Sequence, residues 1–147
     1  MIARASTSTH PGRFADRVFL DANVLFSAAY RPDSGLERLW RDVGPDVTPL
    51  SSPYAIEEAR RNLQDPAARE RLEILVARID VVSDVATGEI PPDVKLPEKD
   101  LPVLLAAMAA RATHLLTGDR AHFGAYYGRQ LAGVLIQRPG DYLAKRR

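Results

Sequence analysis

Residues 17–28 read RVFLDANVLFSA, and this stretch decides the fold. Val18, Phe19 and Leu20 form a short, wholly apolar run of β-forming residues, which predicts a central strand buried on both faces. The run stops at Asp21, and an apolar, helix-forming segment over residues 22–29 follows at once. In an open α/β sheet, a carboxylate at the C-terminal end of a strand stands at the edge where ligands bind. Asn23, two residues on, can hydrogen-bond to that carboxylate or to the turn backbone. Taken alone, Asp21 serves equally well as the N-cap of the helix behind it. The choice depends on whether other acids reach the same edge.

Working outward, Leu36, Leu39, Trp40 and Val43 recur at helical spacing and predict a short second helix, stopped by Gly44-Pro45. Residues 47–50 read as a second strand. Ser51-Ser52-Pro53 is a helix start, with serine as cap and proline where its missing N–H costs nothing. That helix runs to Leu63, with Ile56, Ala59 and Leu63 on one face and Arg60 at its border. Glu57 and Glu58 lie roughly 100° apart around the axis. One can therefore face solvent while the other reaches the sheet edge. The simpler reading of both is a favourable charge near the helix start, paired with Arg60, Arg61 or Asn62. Asp65-Pro66 opens a further helix with Leu72, Leu75, Val76 and Ile79 as its apolar stripe.

Residues 80–83 predict a short strand, and three prolines keep residues 87–98 a loop, a surface connection or a flap. Leu101, Leu104, Leu105 and Met108 then repeat at i, i+3, i+4 and i+7, the pattern of a buried helix. Pro102 falls in its first turn, so Asp100 or Lys99 stands at the cap, and on local grounds Asp100 reads as a capping residue. Residues 114–117 are a strand that ends in Gly118-Asp119. Thr117 can orient this second strand-ending acid, and the alternative is a simple Asx-turn. His122 and Phe123 follow on a loop or helical turn, where His122 reads as a surface or packing residue. Residues 131–136 read as a last strand, and residues 141–147 as a short helix with a basic end. Alternating strands and helices predict an α/β fold with a mostly parallel sheet and helices on both sides.

The chain of 147 residues suits one domain with a single core, its hydrophobic fraction is 46% and its charged fraction 27%. Residues 1–16 lack periodicity and read as a flexible leader, leaving residues 17–147 as the domain. There is no cysteine, which excludes disulfides and thiolate metal sites. His10, His114 and His122 lack a metal-ligand spacing. Any bound metal is therefore held mainly by oxygen, which favours Mg2+ or Mn2+. The longest apolar run, residues 101–110, is far short of the roughly 20 residues that span a membrane. The start of the chain has no signal-peptide core, and a cytoplasmic location is expected. The formal net charge of +1 announces no polyanion partner, but divalent ions bound to a cluster of acids would make the loaded protein clearly basic.

Two acids end strands, Asp21 and Asp119, and two stand near helix starts, Glu58 and Asp100. Strand C-termini and following helix N-termini share one edge of a parallel α/β sheet, so all four can converge. Four carboxylates in one pocket repel one another unless a cation joins them.

These residues resemble the PIN-domain nucleases, including the VapC-like toxins of bacterial type II toxin–antitoxin pairs. The resemblance lies in DANVLFSA around Asp21, IEEARRNL around Glu58, DLPVLLAAMAA from Asp100 and LLTGD ending at Asp119, in order from about Arg17 to Leu143. It implies a three-layer α/β/α sandwich and hydrolysis of RNA phosphodiester bonds with Mg2+ or Mn2+. Position by position, it implies Asp21, Glu58, Asp100 and Asp119 as catalytic acids and metal ligands, with Asn23 and Thr117 as the polar residues beside them. Lys99 departs from the pattern, standing where an additional acid is common. Arg60, Arg120, Lys145, Arg146 and Arg147 are candidates to hold the RNA backbone, although each also reads as ordinary solvated surface. A cognate antitoxin and a homodimer are expected partners. The alternative is a catalytically silent domain of the same fold that binds RNA or a partner. A phosphatase with Asp21 as nucleophile is a third reading, opposed by Asn23 where a second Asp is typical.

Overall fold

The computed structural model describes residues 15–41 and 46–146, and at its centre lies β1 (Asp16–Leu20). Val18, Phe19 and Leu20 are all buried, as consecutive apolar residues must be when both faces of a strand are covered. Next come α1 (Ala22–Tyr30), α2 (Arg38–Arg41), β2 (Val47–Ser51), α3 (Pro53–Asn62), α4 (Pro66–Val76) and β3 (Asp80–Val81). A 3-10 turn over Glu98–Asp100 leads into α5 (Leu101–Ala109). The chain closes with β4 (His114–Leu116), α6 (Arg120–Phe123), β5 (Gln130–Leu131), β6 (Val134–Gln137) and α7 (Pro139–Ala144).

Among the described residues, six strands form one sheet in the order β3-β2-β1-β4-β6-β5. Every neighbouring pair is parallel except β5 and β6. The chain moves outward from β1 through β2 to β3, then returns to place β4 on the other side of β1. Right-handed crossovers therefore put α1, α3 and α4 on one face and α5 and α6 on the other. This is the expected α/β/α sandwich with a mostly parallel sheet. The reversal makes the gap between the C-terminal ends of β1 and β4 a topological switch point, the place where such sheets bind ligands.

Local chemistry explains the helix starts. Ser52 Oγ accepts a hydrogen bond from the Ala55 amide at 3.3 Å, and Asp65 Oδ2 accepts one from the Ala68 amide at 3.1 Å. Each cap is followed by a proline in the first turn. Residues 103–107 of α5 are buried in succession, so this helix is covered all round. Trp40 is buried too, its indole N–H donating to the Leu75 carbonyl at 3.0 Å.

Two expectations are corrected. The last strand, expected over residues 131–136, is instead a hairpin: Leu131 faces Val134, and Ala132 and Gly133 turn between them with φ of 52° and 88°. Two consecutive residues at positive φ make a two-residue turn of the mirror-image kind. The strand over residues 80–83 is limited to Asp80–Val81. The leader, expected over residues 1–16, lies outside the described residues apart from its last two, and Asp16 already belongs to β1. Gly44-Pro45 and Arg147 also lie outside the described residues.

Candidate active site

The sheet delivers Asp21 and Asp119 to the switch point from its two central strands. The ladder runs one residue past β1, the Asp21 amide donating to the Leu116 carbonyl at 3.1 Å. Asp21 does cap α1, its Oδ1 accepting from the Ala22 amide at 2.7 Å. Its Oδ2 accepts from the Thr117 hydroxyl at 2.9 Å and from Asn23 Nδ2 at 3.2 Å. Capping and site placement are therefore served by one side chain.

Thr117, fully buried, organises the floor. Its Oγ accepts from Asn23 Nδ2 at 3.2 Å and from the Asp119 amide at 3.1 Å. Asn23 Oδ1 in turn accepts from the Gly118 amide at 2.7 Å. The turn carrying Asp119 is thus bolted to the turn carrying Asp21. Asp119 Oδ1 accepts from the His122 amide at 3.2 Å and so caps α6.

Asp21, Glu58, Asp100 and Asp119 line one cavity of about 330 Å³, with Asn23, Asn62 and Lys99. Of the two glutamates of α3, Glu58 is half-buried in this cavity, while Glu57 is exposed and pairs with Arg60 at 3.5 Å. Asp100 stands just before α5 but makes no capping hydrogen bond with its side chain. Its carboxylate is therefore free to turn toward the other acids. Across the rim, the Tyr54 hydroxyl donates to the Lys99 carbonyl at 2.6 Å, tying α3 to the turn that presents Asp100.

Electrostatics record the convergence. Burial pushes the Asp21 carboxyl up to about 6, against the hydrogen bonds from Ala22 and Thr117, and the charges of Asp100 and Glu58 add to the rise. Burial likewise raises Asp100; His122 and Lys99 pull it back, while Asp119 and Glu58 push it further up. The charges of Asp21 and Asp100 are thus held at a cost that a cation would offset.

Whether these residues fit a divalent cation can be judged from Asp100. Its Oδ2 is shut from solvent and has no hydrogen-bond partner among the described residues. His122 Nδ1 lies 2.9 Å from it, but the same nitrogen is hydrogen-bonded to Asp119 Oδ2 at 2.7 Å. One N–H serves one acceptor well. A buried carboxylate oxygen without a donor, among further oxygen donors, fits a hard divalent ion.

The expected RNA-contact residues are dispersed. Arg60 belongs to a separate hollow, where its guanidinium makes two bonds of 2.8 Å to Glu73. Arg146 reaches Asp16 at 3.4 Å, at the opposite end of β1 from Asp21. Lys145 and Arg120 are exposed, Arg120 one residue after Asp119. His122 and Lys99 are the site residues that sequence reasoning undervalued. The available signal was the spacing of His122, three residues after Asp119 and so on the same face of a helical turn.

The family profile described as PIN domain matches residues 17–121. In fold, the chain is similar to VapBC2 from Rickettsia felis bound to a DNA fragment from their promoter: the TM-score is 0.60 with 16% identity, over 83% of this chain and 98% of that one. It is also similar to VapBC-1 from nontypeable Haemophilus influenzae, with a TM-score of 0.55 and 14% identity over 84% and 98% of the two chains. Among curated proteins, none matches the sequence.

Proposed function

The chain belongs to the PIN-domain family, and from that premise we propose that it is a metal-dependent endoribonuclease, the toxin of a type II toxin–antitoxin pair. One observation carries the reading: Asp21, Glu58, Asp100 and Asp119, spread over nearly a hundred residues, line a single cavity at the switch point of the sheet. A structural role needs no such gathering of repelling charges.

The reaction adds water across a phosphodiester bond: hydroxide joins phosphorus, one P–O bond breaks and the departing oxygen takes a proton. A bound Mg2+ or Mn2+ supplies Lewis acidity toward the phosphate and acidifies water. Asp21, Asp100, Asp119 and Glu58 would hold the ion. Thr117 and Asn23 fix Asp21 in one orientation, so little reorganisation is required when the ion and substrate arrive. Lys99, on the cavity wall, and Arg120, beside Asp119, supply positive charge for the RNA backbone. Binding through them weakens as salt rises.

The fold shared with the VapBC proteins supports an antitoxin as partner, and we extend the reading to a homodimer acting in the cytoplasm. Among the described residues no helix is long and apolar enough to cross a membrane. The test is cleavage of a panel of tRNA and mRNA fragments with Mn2+. The expected result is cleavage at defined positions by the wild type and none by Asp21→Asn. Equal cleavage by both would defeat the proposal, and metal binding without cleavage by either would favour a silent binding domain.

A further inference from the structure

We propose that His122 is itself a ligand of the divalent cation, so that the centre is a mixed nitrogen–oxygen site favouring Mn2+ over Mg2+. This rests on the metal-dependent reading above and adds to it a residue of this chain that is not an acid.

The geometry starts at the cap of α6. Because the His122 amide donates to Asp119 Oδ1, the imidazole one turn on folds back over the same carboxylate. Its Nδ1 then sits 2.7 Å from Asp119 Oδ2 and 2.9 Å from Asp100 Oδ2. The two acids come from different elements, the start of α6 and the start of α5. A histidine serving only to finish the α6 turn would need contact with Asp119 alone. Here it also reaches the buried oxygen of Asp100, which has no hydrogen bond among the described residues. One donor atom from each of the three residues lies within 4.8 Å of the others.

In the absence of a cation, one proton on Nδ1 must serve two carboxylate oxygens. With the ring proton on Nε2 instead, Nδ1 offers a lone pair beside those two oxygens, and the three donor atoms lie close enough together to share one ion. Neighbouring donor atoms around an octahedral ion with bonds of about 2.1 Å are about 3 Å apart. The two observed nitrogen–oxygen spacings are close to that edge. Imidazole suits transition ions better than magnesium, which prefers oxygen alone. Lys99, another residue of the cavity lining, adds positive charge that acts on the Asp100 carboxyl.

The test uses the full chain labelled with 15N-histidine, loaded with Mn2+ and observed by pulsed electron paramagnetic resonance. A 15N hyperfine coupling is expected in the wild type and lost in His122→Gln. Calorimetry should show Mn2+ affinity falling tenfold or more in that variant, with Mg2+ affinity falling less. His122→Asn serves as a second variant, and the wild-type spectrum decides even if both fold poorly. Bound Mn2+ without nitrogen coupling, or coupling that survives in His122→Gln, overturns the assignment and leaves the metal-dependent reading standing. Absence of Mn2+ binding overturns both.

Discussion

The Thr117 hydroxyl donates to Asp21 Oδ2 at 2.9 Å, joining the ends of the two central strands across the switch point of the sheet. Thr117 Oγ also accepts from the Asp119 amide and from Asn23 Nδ2. One buried hydroxyl thus positions both strand-ending acids. Thr117→Val keeps the shape of the side chain and removes all three bonds. It should cost about 1–3 kcal/mol of stability, whereas Thr117→Ser should cost much less. Urea unfolding in the presence of a chelator measures both.

Lys99 lines the cavity that holds the four carboxylates, and its charge offsets part of the rise that burial imposes on the Asp100 carboxyl. Lys99→Glu exchanges an attraction for a repulsion. Divalent affinity should tighten roughly tenfold, because a cation then neutralises one more charge at close range. RNA affinity should fall. Calorimetric titration with Mn2+ checks the first effect, and filter binding to RNA with an inactive Asp21→Asn background checks the second.

At the other end of the sheet, His114 packs its ring edge-on against Tyr142, with centroids 4.9 Å apart. Burial lowers its pKa below 6.5; Asp16 opposes the shift and Arg146 adds to it. The fold therefore favours the neutral ring, and the unfolded chain binds the proton more readily. Stability from this group is complete above about pH 6.5 and declines as pH falls through that value toward the folded pKa. His114→Gln should flatten the decline. Melting temperatures of the two proteins between pH 7.5 and 5 measure it, with a chelator present so that the acid site stays unloaded in both.

Ala132 occupies the left-handed region, with φ of 52°, ahead of Gly133. Asparagine tolerates that conformation better, and Asn-Gly is the favoured pair for a two-residue hairpin turn. Ala132→Asn should therefore stabilise the protein by about 0.5–1 kcal/mol, seen as a melting point a few degrees higher.

That hairpin also marks where sequence reading ran out. Leu-Ala-Gly-Val-Leu-Ile looks like one apolar run, and alanine carries no turn signal; only pairing with β4 and β6 reveals the reversal. By contrast, Ser52-Pro53 and Asp65-Pro66 announce their helices locally, through cap and missing donor, and the structure begins both helices there. Asp21 and Asp119 were visible because each ends an apolar run. The position of Asp100 depends on something no local pattern records, namely that its side chain leaves the α5 cap unmade. His122 needed two partners to acquire meaning, one of them 22 residues away across the fold. Arg60 and Arg146 carried only charge as a signal, and charge alone did not distinguish a surface ion pair from a wall of the cavity.

The central claim is that Asp21, Glu58, Asp100 and Asp119 form one divalent-cation site. Calorimetric titration of Mn2+ into the wild-type chain and into Asp100→Asn tests it most directly. The account predicts saturable binding by the wild type, with a raised melting point in the presence of the ion, and at least a tenfold loss of affinity in the variant. Absence of binding by the wild type, or equal affinities for the two proteins, would contradict it.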